Sequence, residues 1–219
     1  MSFGTIYTYP NNPRVMKTQA AANFNNLTLT VADFKMGETN RDPVFLSKFP
    51  LGKVPAFEGA DGTCLAESDA ITQYVAESGP AAGQLVGSTP AERALIRQWI
   101  CFADGEVLGA VTSMVLWRIG YKAYDEATEK SGLEKLTRAL GALENRLKER
   151  TWVATEKLSL ADISVAAALY WGFSMAIDAE MRKEYPGVVA WYERVIESEH
   201  VKEAFGPKVF VEKRKEPEN

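Results

Sequence analysis

In the first third of the chain, short stretches with a two-residue period of apolar and polar positions are interleaved with stretches of helical period. That is the pattern of strand–helix–strand units. Residues 5–9 predict a first strand. Pro13 suits the first turn of a helix, where its missing N–H is not needed, and Val15, Met16, Gln19, Ala20 and Phe24 then follow helical spacing. Leu27, Leu29 and Val31 alternate with Thr28 and Thr30, so residues 27–34 predict a second strand. A polar loop leads to a short helix over 43–49 and a third strand over 54–58. Asp61-Gly62 is a hairpin turn signal that lays 63–66 antiparallel to the strand before it, and Ser68 then caps a helix over 69–78.

From 79 to 89 the chain is rich in Gly, Ala and Pro, as a linker is, and everything after it has helical period. Thr89-Pro90 starts a long helix running from Ala91 towards Trp117. Residues 133–147 form a second, with Leu136, Ala139, Leu140, Leu143 and Leu147 on one side and Lys135, Arg138, Glu144 and Lys148 on the other. Ser159-Leu160-Ala161-Asp162 has capping-box spacing, and the helix it opens, 161–177, is apolar nearly all round, so it is the expected core helix. Pro186-Gly187 breaks the chain before a last helix over 188–196. The reading is therefore an α/β domain over 1–79, a linker over 80–88, an all-helical domain over 89–211 and a disordered charged tail over 212–219.

Composition narrows the functions. Of 219 residues, 46% are hydrophobic and 25% charged, enough apolar surface to bury a core. A net charge of −4 lacks the basic footprint a nucleic-acid binder needs to neutralise phosphates, so no direct nucleic-acid partner is expected. No stretch approaches the roughly 20 apolar residues of a membrane span, and the opening MSFGTIYTYP has no signal-peptide pattern; a cytoplasmic protein is expected. Cys64 and Cys101 form no CxxC or Cys/His cluster, so neither a disulfide nor a metal is expected, and both thiols are read as reduced and buried.

The stretch with most chemical content is Lys53-Val54-Pro55-Ala56-Phe57, followed ten residues on by Glu67-Ser68. An X-Pro bond ahead of a strand has only about 0.5–1 kcal/mol of bias against cis. A cis Val54-Pro55 leaves the Val54 N–H and C=O free to pair with an extended peptide. Glu67 and Ser68 at a helix start add a carboxylate, a hydroxyl and free amides, which suit a ligand carrying both an ammonium and a carboxylate. In the plainer reading, Pro55 only starts an edge strand and Ser68 only caps a helix. Trp117 and Tyr121 are candidates to line an apolar second-substrate pocket, or to pack in the core; Asp104 is a candidate for the cleft between domains. His200, the only histidine, sits in a charged stretch and reads as exposed.

The order strand, helix, strand, short helix, KVPAF, DG hairpin, ES and a helical half carrying SLAD resembles the glutathione transferase fold over residues 3–205: a thioredoxin-like α/β domain followed by an all-α domain. The strings GTIYTYP, FPLGKVPAFEGADG, RQWICFAD and LADISV are most similar to the amino-terminal transferase-like domain of the gamma subunits of translation elongation factor 1B. The resemblance implies a glutathione pocket, a homodimer, and partners in the exchange-factor subunit and other elongation factor subunits. It places Val54 and Pro55 against the cysteinyl backbone of glutathione, Glu67 and Ser68 at its γ-glutamyl end, and Lys53 at its glycyl carboxylate. Arg14 corresponds to the arginine that follows the family's thiol-activating hydroxyl. Four residues ahead of it stands Pro10 and six ahead Thr8, flanked by Tyr7 and Tyr9, which makes the two tyrosines the catalytic candidates. Lowering a thiol pKa of about 8.5 by two units takes roughly 2.7 kcal/mol of selective anion stabilisation, so the register of that hydroxyl matters. Two functions follow: a scaffold of the exchange complex that binds glutathione, or an active transferase that conjugates glutathione to electrophiles or reduces peroxides.

Overall fold

The computed structural model describes residues 2–217. Its first domain is a four-stranded sheet in the order β2-β1-β3-β4, from β1 (Gly4–Tyr7), β2 (Leu29–Val31), β3 (Ala56–Gly59) and β4 (Cys64–Ala66). β2 runs parallel to β1; β3 and β4 are antiparallel neighbours. The period-two alternation sorts side chains between two faces. Ile6 and Phe57 are buried with Ile71 on the face covered by α1 (Pro13–Phe24) and α3 (Ser68–Glu77). Tyr7 and Ala56 point the other way, onto Phe45 and Phe49 around α2 (Pro43–Lys48). The second strand is shorter than 27–34, because the chain turns at Asn26 with φ +54 and leaves the ladder after Ala32 donates to the Ile6 carbonyl.

The second half is helical: α4 (Ala82–Val86), α5 (Pro90–Phe102), a π-helical segment (Ala103–Leu108), α6 (Gly109–Val115), α7 (Glu126–Leu147), α8 (Leu160–Met175), α9 (Ala179–Lys183), α10 (Pro186–Ile196) and α11 (Lys202–Phe205). The stretch read as linker thus contains α4. It is held in place by Asn25, whose side chain donates to the Val75 and Ala76 carbonyls and accepts from the Ala81 amide. The long helix is interrupted by the π segment, and α7 starts earlier than residue 133 because the Asp125 carboxylate caps it at the Thr128 amide. The capping box of α8 is present, with the buried Asp162 accepting from Ser159. α8 is the core helix, and its apolar surroundings extend into the first domain through Met16, Ala20, Ala21, Ala22, Val75 and Ala76. One continuous core therefore joins the two domains.

Two further expectations change. Both cysteines are exposed: Cys64 lies on the edge strand β4, and Cys101 on α5 beside the buried Ile100 but facing away from the core. The end of the chain, read as disordered, lies along the helical domain as far as it is described. The Val211 amide donates to the Phe173 carbonyl, the Ala179 amide to the Glu212 carbonyl, and Arg118 Nε to the Lys215 carbonyl. Charge alone does not disorder a segment whose backbone finds partners. Residues 218 and 219 lie outside the described residues.

Candidate functional site

β3 begins one residue after a cis Val54-Pro55 bond. Neither the N–H nor the C=O of Val54 has a hydrogen-bond partner among the described residues. The loop before it is fixed by Gly52, at φ +58 in the left-handed region; a Cβ there would lie 2.8 Å from the Asn40 carbonyl oxygen. Asn40 Nδ2 donates to the Gly52 carbonyl at 2.9 Å. Lys53 is exposed and makes no ion pair among the described residues.

Across the ladder, Ala56 pairs with Ala66, which brings Val54-Pro55 opposite Glu67-Ser68. Glu67 has φ +65, an uncommon conformation for a residue with a side chain, and its carbonyl accepts from the Ile71 amide to start α3. Ser68 is the first helical residue rather than the cap, and its hydroxyl has no partner among the described residues, so it is open to a ligand. The amides of Ser68, Asp69 and Ala70 also have no partner among the described residues. An exposed carboxylate, a free hydroxyl and three open amides therefore face an unpaired strand backbone. That arrangement accepts an extended peptide with a zwitterionic end.

The hydroxyls near the end of β1 differ in their partners. Tyr7 donates to Glu58 Oε2 at 3.2 Å and packs edge-on against Phe45, on the α2 side. Burial and the neighbouring Glu58 push its hydroxyl pKa up. The buried Thr8 hydroxyl donates to the Tyr9 carbonyl and accepts from Asn12 Nδ2. Tyr9 is half-buried, and its hydroxyl has no hydrogen-bond partner among the described residues. Burial raises its pKa, the Arg14 guanidinium opposes this, and Tyr121 adds to it, so the two domains meet around this ring. The N-terminus of α1 is already satisfied, since Pro13 has no N–H and the Arg14 amide donates to Asn12 Oδ1 at 3.1 Å. It is not an open anion site.

Arg14 lines a narrow interdomain crevice with Lys17, Asp104 and the buried Ser164; its guanidinium makes no ion pair among the described residues. Asp104, carried by the π segment, is exposed and lines the edge of this crevice. Trp117 donates its Nε1 to Glu129 Oε2 at 2.8 Å, Arg118 stacks on its ring at 4.4 Å, and it lines a pocket with Leu116 and Lys122. Tyr121 is 75% exposed. His200 is half-buried against Phe24. A groove of about 540 Å³ on the β2 side of the β1–α1 loop, reaching Phe34 and Ala204, had no signal in the sequence because its walls come from distant segments. Among the described residues, no three His, Cys, Asp or Glu side chains form a metal cluster, and no helix is long and apolar enough to cross a membrane.

Comparison with known proteins agrees with this geometry. Residues 2–77 match the family model of the glutathione S-transferase N-terminal domain, and residues 106–199 that of the C-terminal domain. The chain is 50% identical over 214 residues to the glutathione S-transferase-like protein FUS3 of Gibberella moniliformis, covering 98% of this chain and 97% of that one. It is 37% identical to elongation factor 1-gamma of Danio rerio, covering 97% of this chain but 48% of the relative. The crystal structure of the GST-like domain of elongation factor 1-gamma from Saccharomyces cerevisiae superposes with a TM-score of 0.86 at 27% identity, covering 100% of both chains.

Proposed function

Because this chain belongs to the glutathione S-transferase family, we propose that it binds glutathione between the start of β3 and the start of α3 and conjugates it through its sulfur to an electrophile. The observation that carries this reading is the pair of unsatisfied surfaces facing each other: the Val54 backbone, and the Glu67-Ser68 corner with its open amides. Val54 pairs with the cysteinyl backbone. Glu67 meets the γ-glutamyl ammonium, and the Ser68 hydroxyl with the amides meets its carboxylate. Lys53 meets the glycyl carboxylate, and Arg14 adds positive charge near the sulfur. In the reaction the thiol proton leaves to solvent, a sulfur lone pair forms the S–C bond, and the leaving group departs with its bonding pair. Tyr9, whose hydroxyl has no other partner, is the donor to the thiolate.

Likeness to elongation factor 1-gamma supports a second reading, in which the chain is a cytoplasmic homodimer that holds an exchange-factor subunit and other elongation factor subunits. Calorimetric titration of glutathione, steady-state conjugation of a chlorinated aromatic, and co-purification with an exchange subunit distinguish the two. Glutathione binding with turnover supports the transferase. Partner binding without turnover supports the scaffold.

A further inference from the structure

We propose that Lys17 is a positioning residue for the ligand corner: its ammonium cancels the charge of Asp69, so that the open amides at the start of α3 accept the γ-glutamyl carboxylate of glutathione. This rests on the glutathione reading above. The corner is written Glu67-Ser68-Asp69, with an acid on each side of the hydroxyl. In that reading the exposed Glu67 meets the ammonium of the ligand. Asp69 is then a surplus negative charge, one residue beyond Ser68 in the first turn of α3, beside the amides that hold the ligand's carboxylate. Left uncompensated, it would repel that carboxylate. The helix N-terminus alone, equivalent to about half a unit of positive charge, does not outweigh a full negative one.

The compensating charge comes from α1. Lys17 pairs with Asp69 Oδ1, and its side chain is nearly buried, so salt and water screen the pair little. Arg14, one turn earlier on the same face of α1, lines the same crevice but makes no ion pair among the described residues, and Asp104 at the crevice edge is exposed. Lys17 is therefore the cation committed to Asp69. A second link holds α1 against the corner. The Thr72 hydroxyl, one turn after Asp69, donates to the Ser68 carbonyl at 2.6 Å, and so accepts from the Thr18 hydroxyl at 2.7 Å. Lys17 and Thr18 thus reach the corner by adjacent routes, one through the charge of Asp69 and one through the backbone of Ser68. Held on Asp69, the ammonium acts on the ligand through that acid.

Calorimetry with glutathione and with γ-aminobutyryl-cysteinyl-glycine tests this, since the analogue lacks the γ-glutamyl carboxylate but keeps the ammonium, the thiol and the glycyl end. At low ionic strength Lys17→Met is expected to weaken glutathione at least about fivefold and the analogue by less than about twofold. Adding Asp69→Asn to Lys17→Met is expected to return glutathione affinity to within about twofold of the wild type, and added salt to shrink the loss in the single variant. In conjugation the loss should fall on the KM for glutathione rather than on kcat, because Lys17 acts at the carboxylate and not at the sulfur. A pair that serves only to hold α1 on α3 would weaken both ligands alike and leave the double variant no better than the single one; either result overturns the proposal. Should Lys17→Met fail to fold, Asp69→Asn carries the test with the opposite sign. With Lys17 kept, glutathione should gain at least about twofold over the analogue, and an unchanged ratio overturns the proposal. No heat from the wild type with glutathione overturns the glutathione reading and this inference together, whereas glutathione binding with equal losses for both ligands overturns this inference alone.

Discussion

The ammonium of Lys17 on α1 is ion-paired with the carboxylate of Asp69 in the first turn of α3, and its side chain is only 8% exposed against 24% for the acid. Beside it the buried hydroxyls of Thr18 and Thr72 bond at 2.7 Å, so polar contacts lock α1 to the helix whose start forms the ligand corner. Lys17→Met keeps the side-chain length but leaves Asp69 without its cation. It is expected to cost about 2 kcal/mol in urea unfolding, below the full penalty of a wholly buried pair because the acid can rehydrate. A change below about 0.5 kcal/mol would show that the pair contributes nothing net.

Ser68→Ala is expected to separate binding from folding. Since the hydroxyl caps nothing, stability should change by less than about 0.5 kcal/mol, while glutathione affinity drops about fivefold through loss of one hydrogen bond. Thermal melts run beside calorimetry check both halves. A large stability loss would mean that the serine serves the helix after all.

The two tyrosines should behave differently. Tyr7 is committed to Glu58 on the α2 face, so Tyr7→Phe should leave kcat/KM within about twofold, whereas Tyr9→Phe should lower it at least about tenfold. Burial holds the Tyr9 proton on above the ordinary tyrosine range, so it acts as a donor through neutral pH. The rate should rise with pH as glutathione's thiol ionises, and in Tyr9→Phe the apparent pKa should move up towards the free thiol's value of about 8.5. Equal pH–rate profiles for wild type and Tyr9→Phe would exclude this hydroxyl.

Glu58 links that sheet face to pH. The Lys48 hydrogen bond, then that of Tyr7, holds its carboxyl below the usual glutamate range. Its stabilisation is therefore present above the unfolded pKa of about 4.3 and lost as pH falls through the lower folded value. The stability difference between wild type and Glu58→Gln should be seen at neutral pH and close in acid. A difference independent of pH would contradict the ion-pair assignment.

Asp162 is the most consequential buried group. Its Oδ1 accepts from the Val153 amide and Trp191 Nε1, and its Oδ2 from the Ser159 amide and hydroxyl. Burial pushes its pKa up against these four bonds. Asp162→Asn turns one oxygen into a donor facing donors, so it should destabilise by about 2–4 kcal/mol in urea unfolding. Near-neutral substitution would mean that the site relaxes around the amide.

Much of the architecture was legible because it rests on local rules. Pro13 at a helix start, the Asp61-Gly62 turn and the Ser159–Asp162 capping box each act within a few residues. The β2 boundary slipped because a distant partner decides it, the strand ending where β1 ceases to pair, and the α7 boundary because its local cap lies outside its apolar stripe. Exposure of Cys64 and Cys101 was misread for the same reason. Composition says that a small thiol tolerates burial, not which side of an edge strand or helix it occupies.

The sequence by itself determined the two-domain order, the core helix and the segments that form the ligand corner, since periodicity, caps and the KVPAF and ES motifs are written within single stretches. Only the tertiary structure decided what each polar group is free to do. The strand alternation turns Tyr7 onto the face of Glu58, while Tyr9, past the end of β1, lies beside Arg14; Trp117 Nε1 is bonded to Glu129; and Asp33 and Glu203 line one groove although 170 positions apart. Availability is a property of pairs. A hydroxyl or a charge becomes functional when the fold gives it no other partner, and no single stretch of chain records that.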